Sequence, residues 1–153
     1  MDRATTLAAL DPIIVRGGAL ALFGDATPGG EWPALLGRLG EEFAPAKAAE
    51  RRARKQTEEP PEVVLLRSAF ASLERHGVIV ARRLSADDVV GRAYSMSTTS
   101  PASLSEGRVA FEHTLREQLA WLSPTGEFRE VVKVYALIAR RSRDEGAAPE
   151  AKR

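Results

Sequence analysis

The sequence predicts an α/β fold in which helices pack against a sheet. Three observations support this prediction. An unbroken apolar run of strand length lies at residues 19–23, amphipathic stretches of helical period span 31–43 and 104–122, and residues 128–139 are rich in β-formers. Helical and strand-like segments alternate along most of the chain, which is the pattern of helices layered on a sheet.

The first part of the chain predicts a helix, a strand and a second helix. Apolar residues at helical spacing predict a helix over 3–14, and a Gly-Gly pair then allows a sharp turn. Residues 19–23 follow as a run typical of a strand that is covered on both faces. A loop rich in glycine and proline leads into the helix predicted over 31–43.

The amino-acid composition changes at the start of the middle part of the chain. Residues 45–61 contain charge, alanine and proline but no large apolar side chain, so we expect a surface excursion or a solvated helix. Residues 62–75 resume a helical period, and 78–81 read as a short strand. Ser85 precedes two aspartates, which is an N-cap pattern that predicts a helix over 86–93.

The last part predicts a helix, a strand and a tail. Residues 104–122 form a long amphipathic pattern that a Ser-Pro-Thr-Gly sequence ends. Residues 128–139 have the composition of a strand. Residues 143–153 are polar and alanine-rich, so we expect them to form a disordered tail.

Composition excludes several classes of function. Twenty-two Lys and Arg residues balance 21 Asp and Glu residues, so no global field draws the chain to nucleic acid or to a membrane. The absence of cysteine removes thiolate chemistry, and two histidines make a metal site improbable. No segment is long and apolar enough to span a bilayer. We therefore expect a cytoplasmic protein with no membrane partner and no metal.

One basic cluster, "ERRARK" at residues 50–55, leaves two interpretations open. Lysine and arginine can neutralise nucleic-acid phosphates. However, the cluster lacks interleaved aromatic residues, and acids flank it. A solvated helix face explains it more simply, and we expect no nucleic-acid partner.

Four segments carry a resemblance to a known family. Met1-Asp2-Arg3, "VRGGALALFGD", "LSADDVVGRAYSMSTTSPASL" and "VVKVYALIARR" follow one another along the chain. In this order they resemble the C-terminal half of class I S-adenosylmethionine-dependent methyltransferases of the type-11-like group. The resemblance covers residues 1–142 and implies a partial Rossmann-like methyltransferase domain, with 45–61 as a charged surface insertion.

The resemblance implies a particular sheet and a missing cofactor site. In this family the seventh strand lies antiparallel between the fifth and the sixth, and we expect a small three-stranded sheet of order 5-7-6, described as mixed. The family holds S-adenosylmethionine with its N-terminal half, through a strand and a glycine-rich turn that this chain lacks. We therefore expect a methyltransferase truncated or mis-started at an internal methionine. It should have no cofactor-binding residues of its own, bind no cofactor tightly and be inactive alone.

Four residues are candidates for contact with an acceptor substrate. Asp25 follows the apolar strand at its carboxyl end, where open α/β sheets place ligands, although it also suits a loop that starts a turn. Tyr94, Ser95 and Ser97 lie in the stretch that, by resemblance, contributes to the acceptor pocket. Hydroxyls there could orient an acceptor, but serine and threonine are common in any loop. The sequence identifies no catalytic residue.

Two functions follow from this interpretation. The first is the C-terminal portion of a methyltransferase whose parent enzyme transfers a methyl group from S-adenosylmethionine to a small-molecule acceptor. The second is a non-catalytic interaction module that associates through an open strand edge, with a homodimer as one outcome.

Overall fold

The computed structural model describes residues 3–70 and 72–141. Within these ranges, seven α-helices, three β-strands and two 3-10 turns make up the secondary structure. The helices are Arg3–Leu10 (α1), Glu31–Phe43 (α2), Pro45–Thr57 (α3), Pro61–Leu66 (α4), Ala86–Ser95 (α5), Pro101–Leu104 (α6) and Arg108–Leu122 (α7). The strands are Ala19–Ala26 (β1), Ser72–Ser85 (β2) and Glu127–Arg140 (β3), and the turns are Asp11–Ile13 and Ser105–Gly107.

The strands of the described residues form one sheet in the order β1-β3-β2. The backbone N–H of Arg141, just past β3, donates to the carbonyl of Gly18, just before β1. Near the same end of β3, Arg140 forms an ion pair with Glu74 at the start of β2. Both contacts join the end of one strand to the start of its neighbour, so β3 runs antiparallel to β1 and to β2. The expectation of mixed pairing is therefore wrong, because the central strand opposes both of its neighbours.

The helix predicted over 62–75 is wrong in its second half. The helix α4 ends at Leu66, and the hydroxyl of Ser68 accepts a hydrogen bond from the backbone N–H of Phe70 in the turn that follows. The strand β2 then begins at Ser72, six residues before the start of the strand predicted at 78–81. Residues 72–75 therefore belong to a strand because they pair with β3, although the apolar residues of this segment have helical spacing.

Local signals were more reliable at the start of α5 than at the start of α7. Ser85 caps α5, and Asp88 completes a reciprocal capping box, so the N-terminus predicted there is confirmed. The helix predicted from residue 104 instead begins at Arg108, after the short helix α6 and a 3-10 turn. Ser105 has a φ of 48°, a left-handed conformation that interrupts a continuous helix at this point.

The charged segment after α2 is largely exposed. It forms the helix α3, of which only Ala48 is buried. The exposed side chains agree with the expectation of a surface excursion, while its status as an insertion remains a prediction. The tail expected at 143–153 lies outside the described residues.

The described residues divide into two compact units. Unit 1 takes its described residues from Met1–Asp25, Glu59–Val78 and Val134–Arg153, and unit 2 comprises Ala26–Glu58 and Ile79–Lys133. The boundaries fall inside all three strands. Each unit buries its own apolar cluster. That of unit 1 contains Leu7, Leu65, Phe70, Leu137 and Ala139.

Unit 2 has the larger apolar cluster. Its helices α2, α5 and α7 and the first half of β3 contribute most of the buried side chains. They include Trp32, Leu35, Leu36, Leu39, Val89, Val90, Ala93, Phe111, Leu115, Leu119 and Phe128. In the described part of the chain, no helix is both long and apolar enough to cross a bilayer.

Candidate functional site

A buried carboxylate lies on β3 within unit 2. Phe128, Glu130 and Val132 alternate with exposed residues along the strand, so all three face the covered side of it. The side chain of Glu130 is 0% exposed. An ionised carboxylate without water needs a partner, because burying a charge alone is very costly.

Arg92 on α5 is the main partner of this carboxylate. Its Nη1 atom lies 2.8 Å from Oε1 of Glu130 and 3.1 Å from Oε2, so one nitrogen contacts both oxygens. Arg82 on β2 adds a second positive charge, with its Nε atom 3.9 Å from Oε2. The hydroxyl of Thr27 lies 3.5 Å from Oε1. The carboxylate is thus surrounded by two cations and a hydroxyl.

Trp32 forms an aromatic wall beside this ion pair. The guanidinium carbon of Arg92 lies 5.9 Å from the centre of the Trp32 ring, within cation–π range. The indole N–H donates to the backbone carbonyl of Arg129 at 3.3 Å. Trp32 is itself buried, whereas Trp121 on α7 is 89% exposed.

The arrangement around Glu130 is suited to holding α5 and β3 in position and not to transferring a proton. Both oxygens of Glu130 already contact the guanidinium of Arg92, so neither is free to reach a substrate. The pair instead fixes α5 to β3 by a charge-assisted contact in a site of low dielectric. Because α5 also carries Tyr94 and Ser95, the ion pair sets the position of two of the predicted substrate residues.

Tyr94 takes part in a polar network with α7. Its hydroxyl donates to Glu112 at 2.7 Å, and Arg116 donates to the same carboxylate at 2.9 Å. Burial raises the pKa of Tyr94, and the hydrogen bond to Glu112 raises it further. The hydrogen bonds from Tyr94 and Arg116 lower the pKa of Glu112. At neutral pH, Glu112 is therefore a charged acceptor and Tyr94 a protonated donor.

The other three predicted residues lie in different settings. The hydroxyl of Ser95 donates to the carbonyl of Arg92 in its own helix at 2.7 Å. Ser97 lines a small cavity of about 70 Å³ together with residues of α3. Asp25 is exposed near the end of β1 and belongs to unit 1. Tyr94, Ser95 and Ser97 thus share one segment of unit 2, but their side chains have separate partners. A role in substrate binding remains a prediction for all four.

Sequence reasoning did not identify the ion pair of Glu130 and Arg92. A signal was present, since the alternation of β3 places Glu130 between Phe128 and Val132 on the covered face. A charged residue at a core position of a strand needs a buried partner. The partner could not be found from the sequence because it lies 38 positions away on another element.

A cavity of about 450 Å³ lies between α1 and α4 in unit 1. Asp11, Glu59 and Arg67 supply charge to its mostly apolar lining. Glu59 forms an ion pair with Arg67 at 2.8 Å, and Asp11 lies 3.4 Å from Nη2 of Arg141. The charged groups of this cavity therefore neutralise one another or their neighbours.

No protein-family model matches the chain, and no curated protein sequence is significantly similar to it. Among the described residues, no three His, Asp or Glu side chains converge in a way that could hold a metal ion. Interpretation of the site therefore depends on its own geometry and on the sequence patterns described above.

Proposed function

We propose that this chain is the C-terminal portion of a class I S-adenosylmethionine-dependent methyltransferase whose parent enzyme acts on a small-molecule acceptor. The observation that supports the proposal most is the central position of β3. This last strand runs antiparallel between β1 and β2. The resemblance implies this arrangement if β1, β3 and β2 correspond to the fifth, seventh and sixth strands of the family.

The order of the helices adds support. The helix α2 follows β1, α5 follows β2 directly, and α7 precedes β3. Methyl transfer by direct displacement depends mainly on holding the acceptor and the methyl carbon in line at close distance. Such an enzyme needs few acid–base groups. A site that orients helices through a buried ion pair, without a free base, is compatible with that chemistry.

The residues of this chain do not fit the methyl donor. Folds of this kind bring backbone close to a nucleotide through a glycine-rich turn between a strand and a helix. Here the loop between β1 and α2 contains Gly29 and Gly30, but it lacks the spacing of that motif, and Glu31 begins the helix. The hydroxyl of Thr27 in this loop lies toward Glu130. We therefore propose that residues outside this chain hold the donor.

Ligand binding by two protein products tests this proposal. One is the 153-residue chain, and the other also includes any in-frame coding sequence upstream of its first codon. Calorimetry with S-adenosylhomocysteine should show no tight binding by the 153-residue chain. The longer product should bind the ligand and transfer a methyl group from the donor to small acceptors. Tight binding by the shorter chain, or no binding by either product, would contradict the proposal.

The second candidate function is an interaction module. The strand β2 is an edge strand of the described sheet, and Ile79 on it is 70% exposed. Val78 and Val80 beside it are also exposed apolar residues. An exposed edge with apolar side chains can add a strand from another chain.

Light scattering after size exclusion tests this second function. We expect a defined dimer for the native chain if β2 pairs with a second copy, and a monomer for Ile79→Lys because lysine opposes edge pairing. Val109→Lys is the matched control, since it introduces the same charge at an exposed valine of α7. A monomeric native chain would count against this function. Equal dissociation by both variants would also count against it.

A further inference from the structure

A groove between α2 and α3 in unit 2 combines a defined cavity with uncompensated positive charge. The cavity measures about 250 Å³. Its lining comprises Leu36, Gly37, Gly40 and Glu41 of α2, Ala48, Arg51, Arg52 and Lys55 of α3, and Thr98 of the loop after α5. We call this feature the α2–α3 groove.

The charges around the groove do not cancel. Arg52 forms an ion pair with Glu41, and Glu50 is held by Lys47 at 2.7 Å, where the contact lowers the pKa of Glu50. Arg51 and Lys55 form no salt bridge with any carboxylate of the described residues. They are four positions apart and hence on one face of α3, where like charges destabilise a helix. A bound anion would relieve this repulsion.

The wall of the groove offers a further polar contact. Thr98 lines the cavity beside the cations of α3, and its hydroxyl supplies a hydrogen-bond donor and acceptor to that wall. This observation is independent of the surplus charge on α3.

The groove has open space above a glycine of α2. A Cβ atom built at Gly37 would meet nothing within 4 Å, so the space above this residue is open. Leu36 and Ala48 provide apolar surface in the same cavity. Small-ligand sites combine such apolar surface with a few polar groups that fix orientation. A ligand with a small apolar part and a compact anionic group has the matching chemistry.

We propose that the α2–α3 groove binds a small phosphate monoester. Two unpaired cations match a dianion, and guanidinium groups bind phosphate oxygens with good geometry. A nucleic-acid backbone fits less well. Residues 45–57 contain no aromatic side chain for base stacking, and the unpaired charge covers little more than one helical turn. This proposal does not depend on the methyltransferase assignment.

Calorimetric titration with phenyl phosphate tests the proposal on the full 153-residue chain. We expect saturable one-to-one binding that is at least about tenfold weaker in Arg51→Gln/Lys55→Gln, as for the loss of a charge-assisted hydrogen bond. Arg83→Gln/Lys133→Gln is the matched control, because it removes two exposed cations from β2 and β3 and gives the same net charge. This control should bind as the native chain does.

A second pair of variants tests the space in the groove without changing charge. Gly37→Leu should fill the cavity and abolish binding, while leucine favours the helix more than glycine does. Gly91→Leu in α5 is the control, since a Cβ there also meets nothing within 4 Å and Gly91 does not line the groove. Circular dichroism should show that all variants keep the native helical signal.

Three results would overturn the proposal. The first is the absence of saturable binding of phenyl phosphate by the native chain. The second is equal weakening by the two charge-removing double variants, since it would indicate non-specific attraction. The third is stronger competition by a single-stranded oligonucleotide than by phenyl phosphate, because that outcome would assign the surface to a phosphodiester polymer.

Discussion

Replacing Arg92 with methionine is expected to lower the free energy of unfolding by about 3 kcal/mol, the lower end of the cost of breaking a buried ion pair. The variant leaves Glu130 with its side chain 0% exposed and without its nearest cation. Arg82, at 3.9 Å, remains to offset part of the cost. Urea denaturation at neutral pH measures this change.

Three companion variants separate the ion pair from other effects. Glu130→Gln should cost less than Arg92→Met, because the side chain of Arg92 is 30% exposed and can reach water. The double variant should be more stable than Arg92→Met alone, since it leaves no unpaired buried charge. Arg83→Met is the matched control. It breaks an exposed Arg–Glu pair between β2 and β3 and should cost at most about 1 kcal/mol. An equal cost for Arg83→Met and Arg92→Met would refute the buried role.

Replacing Phe111 with alanine is expected to lower the free energy of unfolding by about 3–5 kcal/mol, as is usual for a buried phenylalanine. Phe111 is fully buried at the centre of the unit 2 cluster. Its ring lies edge-on to Phe43, with 5.6 Å between the centroids, and 6.2 Å from the ring of Tyr94. The variant therefore removes contacts that join α2, α5 and α7. Urea denaturation followed by far-ultraviolet circular dichroism measures the loss.

Trp121→Ala is the control for this prediction. It removes a larger aromatic side chain from the same helix, but Trp121 is 89% exposed, so the change should stay within about 0.5 kcal/mol. If the two variants lower the free energy of unfolding by similar amounts, Phe111 does not lie in the core of unit 2.

Helices with strong local signals could be predicted from the sequence. The bounds of α2 agree with the prediction because its apolar stripe and the glycine before it define a helix without help from other elements. The start of α5 agrees because Ser85 and Asp88 form the capping box through neighbouring residues alone.

The errors occur where distant contacts decide the structure. The segment before Gly77 has apolar residues at helical spacing, yet it pairs with β3, and the site of a Cβ atom at Gly77 lies only 3.3 Å from the carbonyl of Val134. Trp121 lies on an apparent apolar stripe of α7, but the neighbouring elements cover a different side of the helix. The candidate site shows the same limit, because Arg92 and Glu130 lie on different elements, 38 positions apart.

The division into units has a consequence for biosynthesis. Unit 1 combines three stretches separated by the two stretches of unit 2, and the third begins at Val134. During translation, Leu65 and Phe70 emerge from the ribosome long before Leu137 and Ala139, with which they form one apolar cluster. The nascent chain must therefore carry an incomplete cluster while the second stretch of unit 2 is synthesised, a state in which exposed apolar surface favours aggregation or chaperone binding.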